Sequence, residues 1–100
     1  MDFNKTVIET IRWNILQALD VARPYGTNEN VILSALQAEH KGITQLIVRR
    51  ELDYLEDRKL AEITNQHTGT WFAELTRYGV DIAEYTVECK PGIARPEKYW

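Results

Sequence analysis

One cysteine, Cys89, is all the thiol this chain has. A single thiol closes no disulfide within the chain and builds no thiolate metal cluster, which fits a reducing cytosol. Positive charge is not in surplus either. Twelve Lys and Arg against 15 Asp and Glu leave a formal net charge of -3. That excludes the broadly basic surface of most dedicated nucleic-acid binders, although a locally basic face can sit on an acidic protein. No apolar stretch approaches a membrane span, and Met1-Asp2-Phe3-Asn4-Lys5 lacks the apolar run of a signal peptide. A cytoplasmic protein with no membrane association is the expectation. Gly-rich phosphate motifs, internal repeats and low-complexity tracts are absent as well.

What is present is a helical pattern broken at regular places. The length allows one domain at most, with a small but real core. Asp2 or Asn4 can cap a first helix, along which Val7, Ile8, Ile11, Ile15 and Leu19 fall at helical spacing. Trp13 and Leu16 give it a second apolar edge, so it needs more than one neighbour. Pro24 and Gly26 stop it. Thr27 or Asn28 caps a second helix carrying Val31, Ile32, Leu33, Ala35, Leu36 and Ala38. It runs to His40, with Gly42 in a left-handed position after it. Thr44 is placed to cap a third helix whose core stripe is Val48, Leu52 and Leu55, closed by Leu60. On this helix Arg49, Arg50, Asp53, Glu56, Asp57 and Arg58 point toward solvent.

Helical period fades near Lys59. Leu60–Thr64 reads as a short strand, residues 65–69 as a polar turn with Gly69 able to take positive φ, and Thr70–Leu75 as the return strand. Thr76 can cap a last helix with Val80, Ile82, Ala83 and Val87, ended by Lys90-Pro91-Gly92. Residues 93–100 hold no helical period and read as an arm on a surface or a loose end. The expected core gathers Ile15, Leu19, Leu36, Val48, Leu52, Leu55, Leu60 and Leu75.

Three helices followed by a hairpin is the plan of a winged helix-turn-helix. The segment from Arg50 to Leu60 resembles the recognition-helix ending of winged-helix repressors. Leu75-Thr76-Arg77-Tyr78-Gly79 resembles the Leu-Thr-x-x-Gly element that often follows their wing. The likeness covers roughly residues 12–85. The whole chain, including Pro91-Gly92-Ile93-Ala94-Arg95-Pro96, also resembles a family of small winged-helix proteins of Mu-like prophages, for which no defined biochemical role is implied. The expected fold class is α+β: one winged helix-turn-helix domain, with three helices, a hairpin wing and a short C-terminal helix. Residues 1–90 form it, including an N-terminal helical extension, and 91–100 form a C-terminal arm.

The resemblance implies a non-catalytic DNA-binding protein, a phage or prophage transcriptional regulator in a bacterial cytoplasm. Thr44, Gln45, Arg49 and Arg50 would face the major groove of double-stranded DNA, and His67 at the wing tip would approach the backbone. Leu46 and Ile47 depart from the pattern, because they offer no hydrogen bond to base edges. Exposed, they favour a second reading, a winged-helix module for protein–protein contact in phage assembly or regulation. Nothing supports an enzyme, a cofactor or a metal site. His40 near a helix end reads as structural, and Cys89 as an inert thiol. The acidic run Glu51, Asp53, Glu56 and Asp57 reads as the solvated face of a helix, paired with nearby arginines. Finally, Trp13 and Leu16 on the first helix, with Tyr99 and Trp100 on the arm, amount to surplus apolar surface. They predict a homodimer, unless the arm folds over the first helix within one chain.

Overall fold

Four short polar side chains set where the helices begin. Asn4, Asn28, Thr44 and Thr76 each accept a backbone N–H from the residue three positions on, meeting donors that the first turn of a helix leaves unpaired. The computed structural model describes residues 4–67 and 69–98. In chain order the elements are α1 (Lys5–Val21), β1 (Thr27–Asn28), α2 (Glu29–Gln37), α3 (Gln45–Asp57), β2 (Ala61–Thr64), β3 (Phe72–Leu75) and α4 (Arg77–Ala83). The three strands form one antiparallel sheet in the order β1-β3-β2. The architecture is therefore α+β, four helices with a small antiparallel sheet.

The sheet has a strand the sequence pattern did not announce. β1 is two residues long, too short to show an alternation, and lies in the connection between α1 and α2. Gly26 makes it possible. Its φ of 77° turns the chain, and a Cβ there would press on the Ala73 carbonyl of β3. Thr27 then pairs with Ala73 and Asn28 with Phe72. The Glu29 N–H continues the contact by donating to the Trp71 carbonyl at 2.8 Å. The hairpin β2–β3 pairs Ala61 with Leu75 through Thr64 with Phe72, close to the span expected.

Two helices end earlier than their patterns suggest. α2 stops at Gln37, and residues 38–42 form a turn closed by Gly42 at φ 87°. α4 stops at Ala83, not at Lys90-Pro91-Gly92. Tyr85 takes a φ of 64°, and the Thr86 hydroxyl donates to the Asp81 carbonyl, which turns the chain away. Val87 lies beyond the helix and is exposed. The start of α4 is fixed more firmly. Thr76 donates its hydroxyl to the Lys59 carbonyl at 2.6 Å while capping Gly79. Gly79 packs so closely on the Leu60 carbonyl that a Cβ would collide with it.

The core is continuous from α1 to the sheet: Ile11, Ile15, Leu16 and Leu19, Ile32 and Leu36, Val48, Leu52 and Leu55, Leu60, Ala61, Ala73 and Ile82. Of the expected core only Leu75 is partly rather than fully buried. Trp13 and Leu16 are a correction: both are buried within the chain, so they are not surplus surface. The reason lies in the tail. Ile93 is buried, the Ala94 N–H donates to the Glu9 carbonyl, and the Tyr85 hydroxyl donates to the Pro96 carbonyl. Tyr85 also meets the Trp13 ring edge-on, with centroids 5.9 Å apart. Residues 91–98 thus cover the second apolar edge of α1. Tyr99 and Trp100 lie outside the described residues.

Leu52 is fully buried at the centre of this core. Leu52→Ala is expected to cost about 2–5 kcal/mol, measured by urea unfolding. A loss within experimental error would contradict the packing described.

Candidate nucleic-acid interface

The first turn of α3 is where groove-reading residues were expected, and its side chains divide sharply. Thr44 is exposed, but its hydroxyl oxygen accepts the Ile47 N–H at 3.2 Å as the helix cap. Gln45 is exposed, near enough to Glu29 to add a little to the lowering of its carboxyl. Leu46 is 73% exposed, whereas Ile47 is only 6% exposed and belongs to the core. Of the apolar pair expected at the surface, Leu46 alone is there. Helical period explains the split. Ile47, Val48, Glu51, Leu52 and Leu55 fall on one inward face, and Leu46 is one step off it.

Arg49 does not simply face solvent. It is joined to Glu29 by a two-pronged ion pair, Nε to Oε1 at 2.6 Å and Nη2 to Oε2 at 2.7 Å. Glu29 is 1% exposed, and its Oε2 also accepts the Trp71 N–H at 2.7 Å. The Arg49 guanidinium lies over the Trp71 ring, 4.9 Å from its centroid, and Nη2 reaches the Gly69 carbonyl at 3.2 Å. One carboxylate and one guanidinium therefore tie together α2, α3, β3 and the hairpin turn. The Arg49 hydrogen bonds hold the Glu29 carboxyl below its ordinary range. Burial opposes this, and the Trp71 N–H reinforces it. Nothing in the sequence alone marks Glu29. A lone Glu in a helix's first turn has an ordinary explanation in the helix dipole, and its partner lies twenty residues on.

The acidic run is not one solvated face. Glu51 is 2% exposed. It accepts from Arg12 Nε at 2.7 Å and from Arg50 Nε at 3.3 Å. It sits three residues after Val48 and four before Leu55, on the buried stripe. Glu56 turns the other way. Its carboxylate accepts the Ile63 N–H at 3.0 Å and the Gln66 amide at 3.3 Å, which covers part of the open edge of β2. Asp53 is exposed, yet its carboxyl is pushed up by partial burial first and by Glu56 and Asp57 next.

His67 is exposed in the hairpin turn. Arg49 touches that turn at Gly69, so α3 and the hairpin turn are neighbours. The hairpin brings little positive charge to it. No Lys or Arg occurs between Ala61 and Leu75, and Glu62 stands directly opposite Glu74 across the strands. The Arg50 side chain is 53% exposed, against 32% for Arg49. His40 is buried, its Nε2 2.8 Å from the Asn14 amide oxygen, linking α1 to the turn after α2. No helix among the described residues is long and apolar enough to cross a membrane.

No protein-family model matches this chain, and neither a curated protein nor a solved structure does so.

The Glu29 carboxyl is lowered on folding. Its contribution to stability is therefore present above the ordinary glutamate value of 4.5 and is lost as pH falls through the lower folded value. Glu29→Gln, which keeps an acceptor for Trp71, should flatten the acid limb of stability against pH in unfolding experiments. An acid limb identical to that of the unaltered protein would contradict the assignment.

Proposed function

We propose that this chain is a winged helix-turn-helix domain that binds duplex DNA without catalysis, as a transcriptional regulator of a phage or prophage in a bacterial cytoplasm. The observation that carries the reading is the path α1-β1-α2-α3-β2-β3 with the strand order β1-β3-β2. It leaves the exposed start of α3 beside a hairpin turn, the arrangement in which a winged helix lays its third helix in a major groove. In this reading Gln45 meets base edges, Leu46 meets a thymine methyl, and Arg50 lies at the rim of the groove within reach of the backbone. Thr44 holds the helix start, and Arg49 sets its position through Glu29. His67 lies on the flank of the contact.

A second reading, a module for protein–protein contact, is favoured by two specific features. The hairpin lacks Lys and Arg, and the apolar Leu46 at the α3 start is 73% exposed. A fold alone hosts either activity. The two differ in their response to salt. Contact with phosphates releases counterions and weakens steeply as salt rises, whereas an apolar interface does not.

Titration of the protein with random and phage-derived duplexes, over a range of salt, tests the proposal. The expected result is binding at low salt with a steep fall as salt rises. Gln45→Ala should relax sequence discrimination more than it weakens binding to all duplexes. No binding to either class of duplex at low salt would overturn the DNA reading and leave the protein-contact one.

A further inference from the structure

Three guanidinium groups meet along one edge of α3. Arg12 from α1 lies 3.5 Å over the Tyr54 ring centroid, and Arg58 lies 5.5 Å from it. Arg12 and Arg50 share the Glu51 carboxylate through their Nε atoms. Arg58 Nη1 donates to the Tyr54 hydroxyl at 2.8 Å and to the Pro91 carbonyl at 2.9 Å. Arg12 Nη1 donates to the Gly92 carbonyl at 2.9 Å. One carboxylate enters these contacts against three positive charges. Beside them a cleft of about 560 Å³ is lined by Lys5, Glu9, Arg12, Pro91 and Gly92, which adds one charge of each sign. The edge is positive on balance, in a protein that is negative overall.

The other edge of α3 has the opposite character. Glu56 reaches across to Ile63 and Gln66 of the hairpin, and the Asp53 carboxyl is raised by partial burial first and by the nearby Glu56 and Asp57 next. Beyond it stand Glu62 and Glu74, paired across the strands. Arg49 on the hairpin side is taken up by Glu29, so the positive balance of α3 lies toward the tail, where Glu51 alone faces Arg12, Arg50 and Arg58, and its negative balance lies toward the hairpin.

We infer that the phosphate backbone of duplex DNA is gripped at the tail-side edge, by Arg50 and Arg58 with Arg12 beneath them, and not by the hairpin. The inference rests on the DNA reading above and names where its electrostatic contact lies. Guanidinium groups suit this task, because their planar fork matches the oxygens of a phosphate. The bond to Glu51 engages Nε of Arg50, so its two terminal nitrogens are open to a ligand among the described residues. Tail carbonyls and the Tyr54 ring hold Arg12 and Arg58 in place beforehand, which lessens the ordering that binding requires. The hairpin carboxylates repel a phosphate strand and so turn that side away from it. A winged helix that uses its tail edge in place of its wing accounts for a hairpin without a single Lys or Arg.

The test is the salt dependence of duplex binding by the full chain, compared with Arg50→Gln, Arg58→Gln, the double variant, Arg50→Lys and the hairpin variant Glu62→Gln. Thermal unfolding of each variant identifies any that has lost its fold, and Arg50→Gln at the exposed rim decides the matter if Arg58→Gln proves unstable. The expected result is a slope of log affinity against log salt that flattens by about one for each Gln substitution and by about two for the pair. Arg50→Lys should keep the slope, and Glu62→Gln should leave the slope unchanged and raise affinity only slightly. A steep slope in the unaltered protein that persists in folded Arg50→Gln would overturn the inference while leaving the DNA reading intact. Markedly tighter binding by Glu62→Gln would also overturn it, by placing the hairpin against the backbone. An unaltered protein that binds no duplex at low salt would overturn both.

Discussion

A buried carboxylate cannot stand unpaired, and the demand of Glu29 for Arg49 governs how the parts of this protein meet. Without the guanidinium, Glu29 would hold a charge away from water at the start of α2, a cost that far exceeds the worth of an exposed ion pair. With it, α2 and α3 are held at one relative position. The same carboxylate takes the Trp71 N–H, so the hairpin's return strand is fixed to the same point. Arg49 completes the arrangement by touching Gly69 and lying over the Trp71 ring. The pair contributes to the interface by aiming α3 and the hairpin turn at the same space. It also withdraws one arginine from the surface that a ligand would meet.

A second buried carboxylate plays a matching part at the other side of α3. Glu51 draws in Arg12 and Arg50, and the tail closes over them through the carbonyls of Pro91 and Gly92. The tail is thereby part of the folded body. It covers the outer edge of α1, buries Ile93 and holds the arginine cluster in place. What remains outward on α3 is narrow: Gln45, Leu46 and Arg50 toward its start, Asp53 and Asp57 toward its end. Any partner of this face meets a polar and positive end followed by a negative one.

Much of this was legible in the sequence because it is local. Asn28, Thr44 and Thr76 read as caps and act as caps. The stripe Val48, Leu52 and Leu55 reads as core and is core, and Leu60–Leu75 reads as a hairpin. The features that escaped depend on contacts distant in the chain. β1 is two residues whose pairing depends on Ala73, far along the chain. Glu29 and Glu51 look like surface acids until their arginines arrive from other helices. Trp13 looks surplus until Tyr85 and the tail fold onto α1. The end of α4 escaped for another reason: Val87 continues an apolar pattern that the positive φ of Tyr85 interrupts. Of the expected site residues, Gln45 and Arg50 are outward-facing as read. Arg49 is not, because period alone does not show that its neighbour on α2 is a buried acid.

The most direct test of the central claim is a double-mutant cycle on Glu29 and Arg49, with stability measured by denaturant unfolding at neutral pH. Glu29→Gln keeps an acceptor for Trp71, and Arg49→Met keeps the length of the side chain without its charge. If the pair organises the structure, Arg49→Met destabilises the unaltered protein strongly, because it strands a buried carboxylate. In the Glu29→Gln background the same change should cost much less, and the difference measures the coupling. An equal loss in both backgrounds would mean that the two residues act independently, and would contradict the account.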